Sequence, residues 1–181
     1  SENRGFSFQS NAPADMRFDQ TKGQTAEELI RKSSEQELAD IIYLFGEERK
    51  SKRISNSIKK IKNLSTTMDL KEAIRKSTPP HHRNKTHARV FQAIRIAVND
   101  EIDKLKSFLK IFLDYLEIGG RLVVISYHSI EDRIVKHSFR QLNNESKVKL
   151  LTRKPITPST VEIKLNKRSR SAKMRALERV L

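Results

Sequence analysis

Cysteine is absent from this chain, which excludes disulfides, thiolate metal sites and cysteine catalysis. The glycine-rich and catalytic signatures are missing too: there is no GxGxxG, no P-loop, no GxSxG and no HExxH. No apolar run approaches the length of a membrane span. The opening Ser1-Glu2-Asn3-Arg4 lacks the charged-then-apolar order of a secretion signal, and the composition is compatible with the cytoplasm. Acidic residues are scarce. The 22 Asp and Glu stand against 37 Lys and Arg, leaving a net charge of +15, which draws polyanions by counterion release and long-range steering. Nucleic acid is the first partner class this suggests and an anionic membrane the second. A merely solvated basic surface is the alternative.

Apolar residues make up only 36% of the 181 positions, yet they are patterned, which points to folded protein with wet surfaces rather than disorder. The length suits one domain, or one lobe plus part of another. Residues 1–24 have no helical period and read as a loop with apolar anchors, Phe6, Phe8, Met16 and Phe18. Four helices follow. The first opens at Thr25 with Glu28 three residues on, and the second repeats that capping-box spacing with Ser34 and Glu37. Leu38, Ile41, Ile42 and Phe45 form the apolar face of the second, and Gly46 is its stop. The third spans Glu47 to Lys62, with Ile54, Ile58 and Ile61 inward and a basic outer face that includes Lys59 and Lys60. The fourth lies near Asp69 to Lys76. Pro79-Pro80 ends this region, and Ser77 to Thr86 reads as a connector.

The spacing then predicts one continuous amphipathic helix over 88–116, through Phe91, Ile94, Val98, Ile102, Leu105, Leu109, Phe112 and Leu116. At the helical rise it would reach about 40 Å. Gly119-Gly120 breaks it. The β-branched run Arg121 to Ser126 is a strand of the kind covered on both faces. Tyr127-His128-Ser129 turns the chain, and Ser129 with Asp132 opens another helix. Helix, glycine pair, strand, polar turn and helix make a unit of an open α/β sheet. Weaker strands are expected at 148–152 and 172–180, with a basic stretch from Lys164 to Arg170 between them.

Ligands of open α/β sheets sit beyond the carboxyl ends of the strands, where His128 and Ser129 lie. His128 could orient a substrate or accept a proton; a structural turn held by a cap is the other reading. Asp15, Arg17 and Asp19 form a second candidate, positioning a phosphate or base edge, or else bridging one another within a loop. Glu47-Glu48-Arg49 reads as acids compensating a helix dipole. His81, His82 and His87 lack metal-ligand spacing, and no metal site is expected. Lys167, Arg168, Arg170, Lys173 and Arg175 form a basic cluster suited to backbone phosphates, or to water.

Taken together, several blocks carry a resemblance. They are Arg4-Gly5-Phe6-Ser7-Phe8, then Pro13-Ala14-Asp15-Met16-Arg17-Phe18-Asp19, then the stretches Glu37–Arg49, Arg89–Glu101, Gly119–Lys136 and Arg168–Arg175. In this order, over nearly the whole chain, they resemble the MraW/RsmH family. The family comprises bacterial enzymes that use S-adenosylmethionine to methylate N4 of a cytidine in the decoding region of small-subunit (16S) ribosomal RNA. The resemblance implies an all-helical insertion domain over 1–85, on the RNA side. Over 86–181 it implies the C-terminal half of a class I, Rossmann-like methyltransferase domain. It implies Asp15 and His128 as catalytic candidates, and Arg17, Arg89, Ser129 and Asp132 as substrate contacts. Lys59, Lys60, Lys167, Arg168, Arg170, Lys173 and Arg175 would hold RNA. The donor-binding motifs of the family precede the Gly5-Phe6-Ser7-Phe8 block, so no cofactor contact is carried over to this chain. The partner implied is 16S rRNA or the small ribosomal subunit, with a homodimer left open and no membrane. A catalytically incomplete RNA-binding fragment is the rival reading, and an interaction fragment without a nucleic-acid role the third. At Lys85-Thr86-His87-Ala88-Arg89 the family's proline is missing while Arg89 is kept, so the start of the following helix should differ locally.

Overall fold

The computed structural model describes residues 4–181, arranged as two compact units, one ending at Glu101 and the other running from Ile102 to Leu181. Five helices build the first: α1 (Ala26–Lys32), α2 (Glu35–Gly46), α3 (Ser51–Lys59), α4 (Thr67–Ser77) and α5 (Arg83–Asn99). The expected capping boxes at Thr25/Glu28 and Ser34/Glu37 are both closed. A third, Thr66/Asp69, starts α4. Each box satisfies amide donors that a helix start leaves unpaired. The core gathers Leu38, Ile42, Ile54, Ile58, Leu70, Ile74, Val90, Phe91 and Ile94, one apolar stripe from each of four helices. Because α5 supplies so much of this core, the helical unit ends at Glu101 rather than near residue 85.

Gly46 does not act as the left-handed stop expected for it. That conformation falls on Glu47, at φ 50°. A Cβ on Gly46 would lie 2.7 Å from the Arg89 carbonyl oxygen, so glycine here allows α2 and α5 to touch backbone to backbone. The helix expected over 88–116 is instead three pieces. Asp100 adopts φ 50° and ends α5, α6 runs Glu101–Ile111, and a 3-10 turn covers Phe112–Tyr115. The connector of 77–86 is also shorter than expected: a 3-10 turn at Pro80–His82 leads directly into α5.

The second unit holds β1 (Arg121–Ser126), α7 (Ser129–Asn144), β2 (Val148–Leu150), α8 (Thr160–Leu165) and β3 (Lys173–Arg179). Among the described residues the sheet has order β1-β3-β2, with β3 antiparallel to both neighbours. Leu122, Val124, Val148 and Leu177 join Leu109, Phe112, Val135 and Phe139 in one core. The expectation that β1 is covered on both faces is corrected here. Its residues alternate, and Val123 and Ile125 are 54% and 53% exposed.

Candidate functional site

The turn after β1 is built by His128 and Glu131. His128, not Ser129, is the N-cap of α7: its Nδ1 accepts the Glu131 N–H at 3.3 Å. The Glu131 carboxylate reaches back and accepts the Tyr127 N–H at 3.0 Å. Nε2 of His128 lies 3.3 Å from Glu131 Oε1, but without hydrogen-bond alignment, and it has no other partner. Burial pushes the Glu131 carboxyl up, and the contacts with His128 and the Tyr127 amide outweigh this and hold it below its ordinary range. The Nδ1 lone pair of His128 is spent on capping, which suits a positioning group better than a general base. Ser129 occupies the first helical position of α7.

Asp132 faces inward, across to β3. Its Oδ1 accepts Arg175 Nε at 2.7 Å, and its Oδ2 accepts Arg175 Nη2 at 3.3 Å and Lys173 Nζ at 3.4 Å. Burial raises the Asp132 carboxyl, but the Arg175 hydrogen bond and the charges of Arg175 and Lys173 win and lower it. This corrects two expectations. Arg175 is buried against α7 and is not a phosphate contact, and Asp132 is spent on holding helix to sheet. Lys167, Arg168 and Arg170 are exposed on a 3-10 turn at Lys167–Ser171.

In the helical unit, Asp15 and Arg17 form a two-point pair at 2.8 and 2.9 Å. Asp15 Oδ1 also accepts the Arg17 backbone amide at 3.1 Å. The hydrogen bond from Arg17, opposed by burial, holds the Asp15 carboxyl below its usual range. A lowered and occupied carboxylate is a poor proton acceptor, so the pair reads as a shaped, preorganised loop. Lys59 is also corrected. Its Nζ donates to the carbonyls of Ile30, Arg31 and Ser33 at 2.9, 3.2 and 2.7 Å, closing the end of α1 rather than facing a polyanion. Lys60 is exposed. Of the histidines, His87 is buried, donates through Nε2 to Lys71 O at 3.1 Å, and lies tilted against Phe8. Burial lowers its pKa, partly offset by the Lys71 carbonyl.

Sequence reasoning missed the setting of Arg89. Its Nη1 pairs with Glu48 Oε2 at 3.4 Å. Glu48 is buried and also accepts the Lys50 amide at 3.1 Å and the Thr86 hydroxyl at 3.3 Å. Around them lies a cleft of about 420 Å³ that includes Arg49, Lys50, Thr78, His82 and Lys85. Its residues come from three separate stretches of chain, so no local spacing could reveal it.

A methyl donor of the S-adenosylmethionine type asks for a glycine-rich turn against its amino-acid end and an acid against its ribose. Among the described residues, the strand-to-helix turn after β1 contains no glycine, and its acid, Glu131, is engaged by His128 and Tyr127. That turn, by itself, does not offer these two contacts. No helix among the described residues is long and apolar enough to cross a membrane.

A five-helix unit and a small helix-covered sheet define a mixed α/β protein, and the chain carries a net charge of +15. The description of the MraW methylase family matches residues 1–180, and the chain belongs to that family. It is similar to the ribosomal RNA small subunit methyltransferase H of Synechococcus elongatus, 47% identical over 181 residues, covering 98% of this chain and 60% of that protein. The enzyme of the same name from Thermotoga neapolitana is 47% identical over 185 residues, covering 99% of this chain and 61% of that protein. That from Acaryochloris marina is 49% identical over 181 residues, covering 98% and 60%. The chain thus spans about 60% of the length of these curated relatives.

Proposed function

We propose that this chain is the RNA-side and C-terminal part of a bacterial, cytoplasmic methyltransferase that uses S-adenosylmethionine to modify N4 of a cytidine in the decoding region of 16S rRNA. The family match over 1–180 carries this reading. The relatives' shared name supplies the substrate class, and the charge of +15 agrees with an RNA partner. The domain reading follows: a helical insertion, then the second half of a class I, Rossmann-like domain.

An exocyclic amine is a weak nucleophile, because its lone pair is delocalised into the ring. Alignment of the base therefore carries much of the rate. The base must also leave its stack to reach a pocket. In this reading Asp15 and Arg17 form a rigid edge on the cytidine side, and His128 and Ser129 line the end of β1. Exposed Lys60, Lys167, Arg168 and Arg170 hold RNA phosphates. When bound, the donor would supply the methyl group.

The test is nucleoside mass spectrometry of small-subunit RNA after reaction with the longer protein that contains this chain. N4-methylcytidine in the decoding region is expected. Its absence, or methylation at another atom, would sink the reading. The second reading, RNA binding without catalysis by this chain alone, is favoured by the glycine-free turn after β1. Calorimetric titration with S-adenosylmethionine separates the two: heat of binding by this chain alone would reject the second.

A further inference from the structure

Thr78 closes α4 and lines the cleft around Glu48. It is 6% exposed, and its hydroxyl oxygen is buried without a hydrogen-bond partner. Buried hydroxyls are nearly always paired, and an unpaired one asks for an unseen partner. The side chains around it include four cations, Arg49, Lys50, Lys85 and Arg89, and His82, against two acids, Glu47 and Glu48. Glu48, the buried acid, is already engaged by the Lys50 amide, Thr86 and Arg89. Two helices also begin at this cleft, α3 after Lys50 and α5 after His82, and neither has a side-chain cap. Their positive ends favour an anion there.

Arg49 and Lys50 line a second groove as well, of about 450 Å³, which includes Tyr43. Tyr43 is 56% exposed. An open aromatic face beside a cation-lined cleft is the pairing that single-stranded nucleic acid uses, base on ring and phosphate on cation.

We infer that this cleft binds a phosphodiester of single-stranded RNA, with Thr78, Lys85 and Arg89 on the phosphate and Tyr43 under the neighbouring base. The inference rests on the RNA-directed reading above. It places a specific anchor in the helical unit, apart from the basic turn at Lys167–Ser171.

The experiment titrates the chain with inorganic phosphate, followed by backbone amide NMR shifts, and with a short fluorescent single-stranded RNA at several salt concentrations. Phosphate should shift the amides around Thr78 and Lys85. Thr78→Val removes a hydroxyl that bonds nothing, so it should keep or raise the melting temperature while erasing those shifts. Lys85→Ala and Arg49→Ala should each weaken RNA binding about tenfold and flatten its salt dependence by about one counterion. Tyr43→Ala should weaken binding with the salt slope unchanged. Wild-type affinity in all these variants, with loss only in Lys167→Ala/Arg168→Ala/Arg170→Ala, would overturn the cleft and leave the RNA reading standing. Phosphate binding without any RNA binding would reduce the cleft to a free-anion site, overturning this proposal and the RNA role of the chain together. Binding of neither ligand would do the same.

Discussion

Asp132 and Arg175 show what a single buried pair contributes. Arg175 sits opposite Val124 in the β1–β3 register, on the face that α7 covers, so its charge needs Asp132 in order to be buried there at all. Replacing Arg175 with Met should cost about 3 kcal/mol or more, because it strands a buried carboxylate; the urea midpoint reads this. The carboxyl of Asp132 is lowered in the folded state. Its contribution is therefore full above the ordinary aspartate range of about 4, and it is lost as pH falls through the lower folded value. In Asp132→Asn that acid limb should disappear from a plot of unfolding free energy against pH; a limb of unchanged depth would assign the acid sensitivity elsewhere. Asn99 is a second such residue. Its side chain donates to Met16 O and accepts from Phe18 N, both at 2.7 Å, bracketing Met16, which is buried at φ 62°. Asn99→Ala should cost about 2 kcal/mol through the unpaired groups it leaves, and should loosen the loop that carries Asp15 and Arg17. Amide exchange at Met16 and Phe18 measures that loosening.

At the scale of elements, the close approach of α2 and α5 is the feature most sensitive to one methyl group. Gly46→Ala places a Cβ 2.7 Å from the Arg89 carbonyl, and a helix backbone cannot swing aside as a side chain can. The helices must separate, at about 2 kcal/mol, and the melting temperature should fall accordingly. The same shift moves Arg89 relative to Glu48, so phosphate binding in the neighbouring cleft should weaken with it. The break at Asp100 is a different kind of element property. The apolar period continues across it from Val98 to Ile102 and Leu105, so pattern alone extends the helix. One residue with positive φ stops it, and Asp is among the residues that tolerate that conformation.

For the chain as a whole, the exposed face of β1 has the largest consequence. Val123 and Ile125 stand out on a strand whose second edge is unpaired among the described residues, an arrangement that favours association. Val123→Lys with Ile125→Lys should lower self-association of this chain, measured by light scattering, without changing its far-ultraviolet circular dichroism. Unchanged scattering would show that this face is not what drives association.

Much of the local structure was legible in the sequence. Thr25/Glu28 and Ser34/Glu37 announced their helices because a capping box is a contact between residues three apart, and the β-branched run 121–126 announced β1 for an equally local reason. The basic excess, and the blocks resembling a known family, likewise needed no fold to be read. Tertiary packing alone decided the rest. It spent Arg175 and Lys59 on internal acceptors, left one face of β1 open, turned Gly46 into a contact between helices, and brought Glu48, Thr78 and Arg89 around one cleft. These outcomes depend on distances between residues tens of positions apart, and neither charge nor period along a chain encodes which cation meets a buried acid and which meets water.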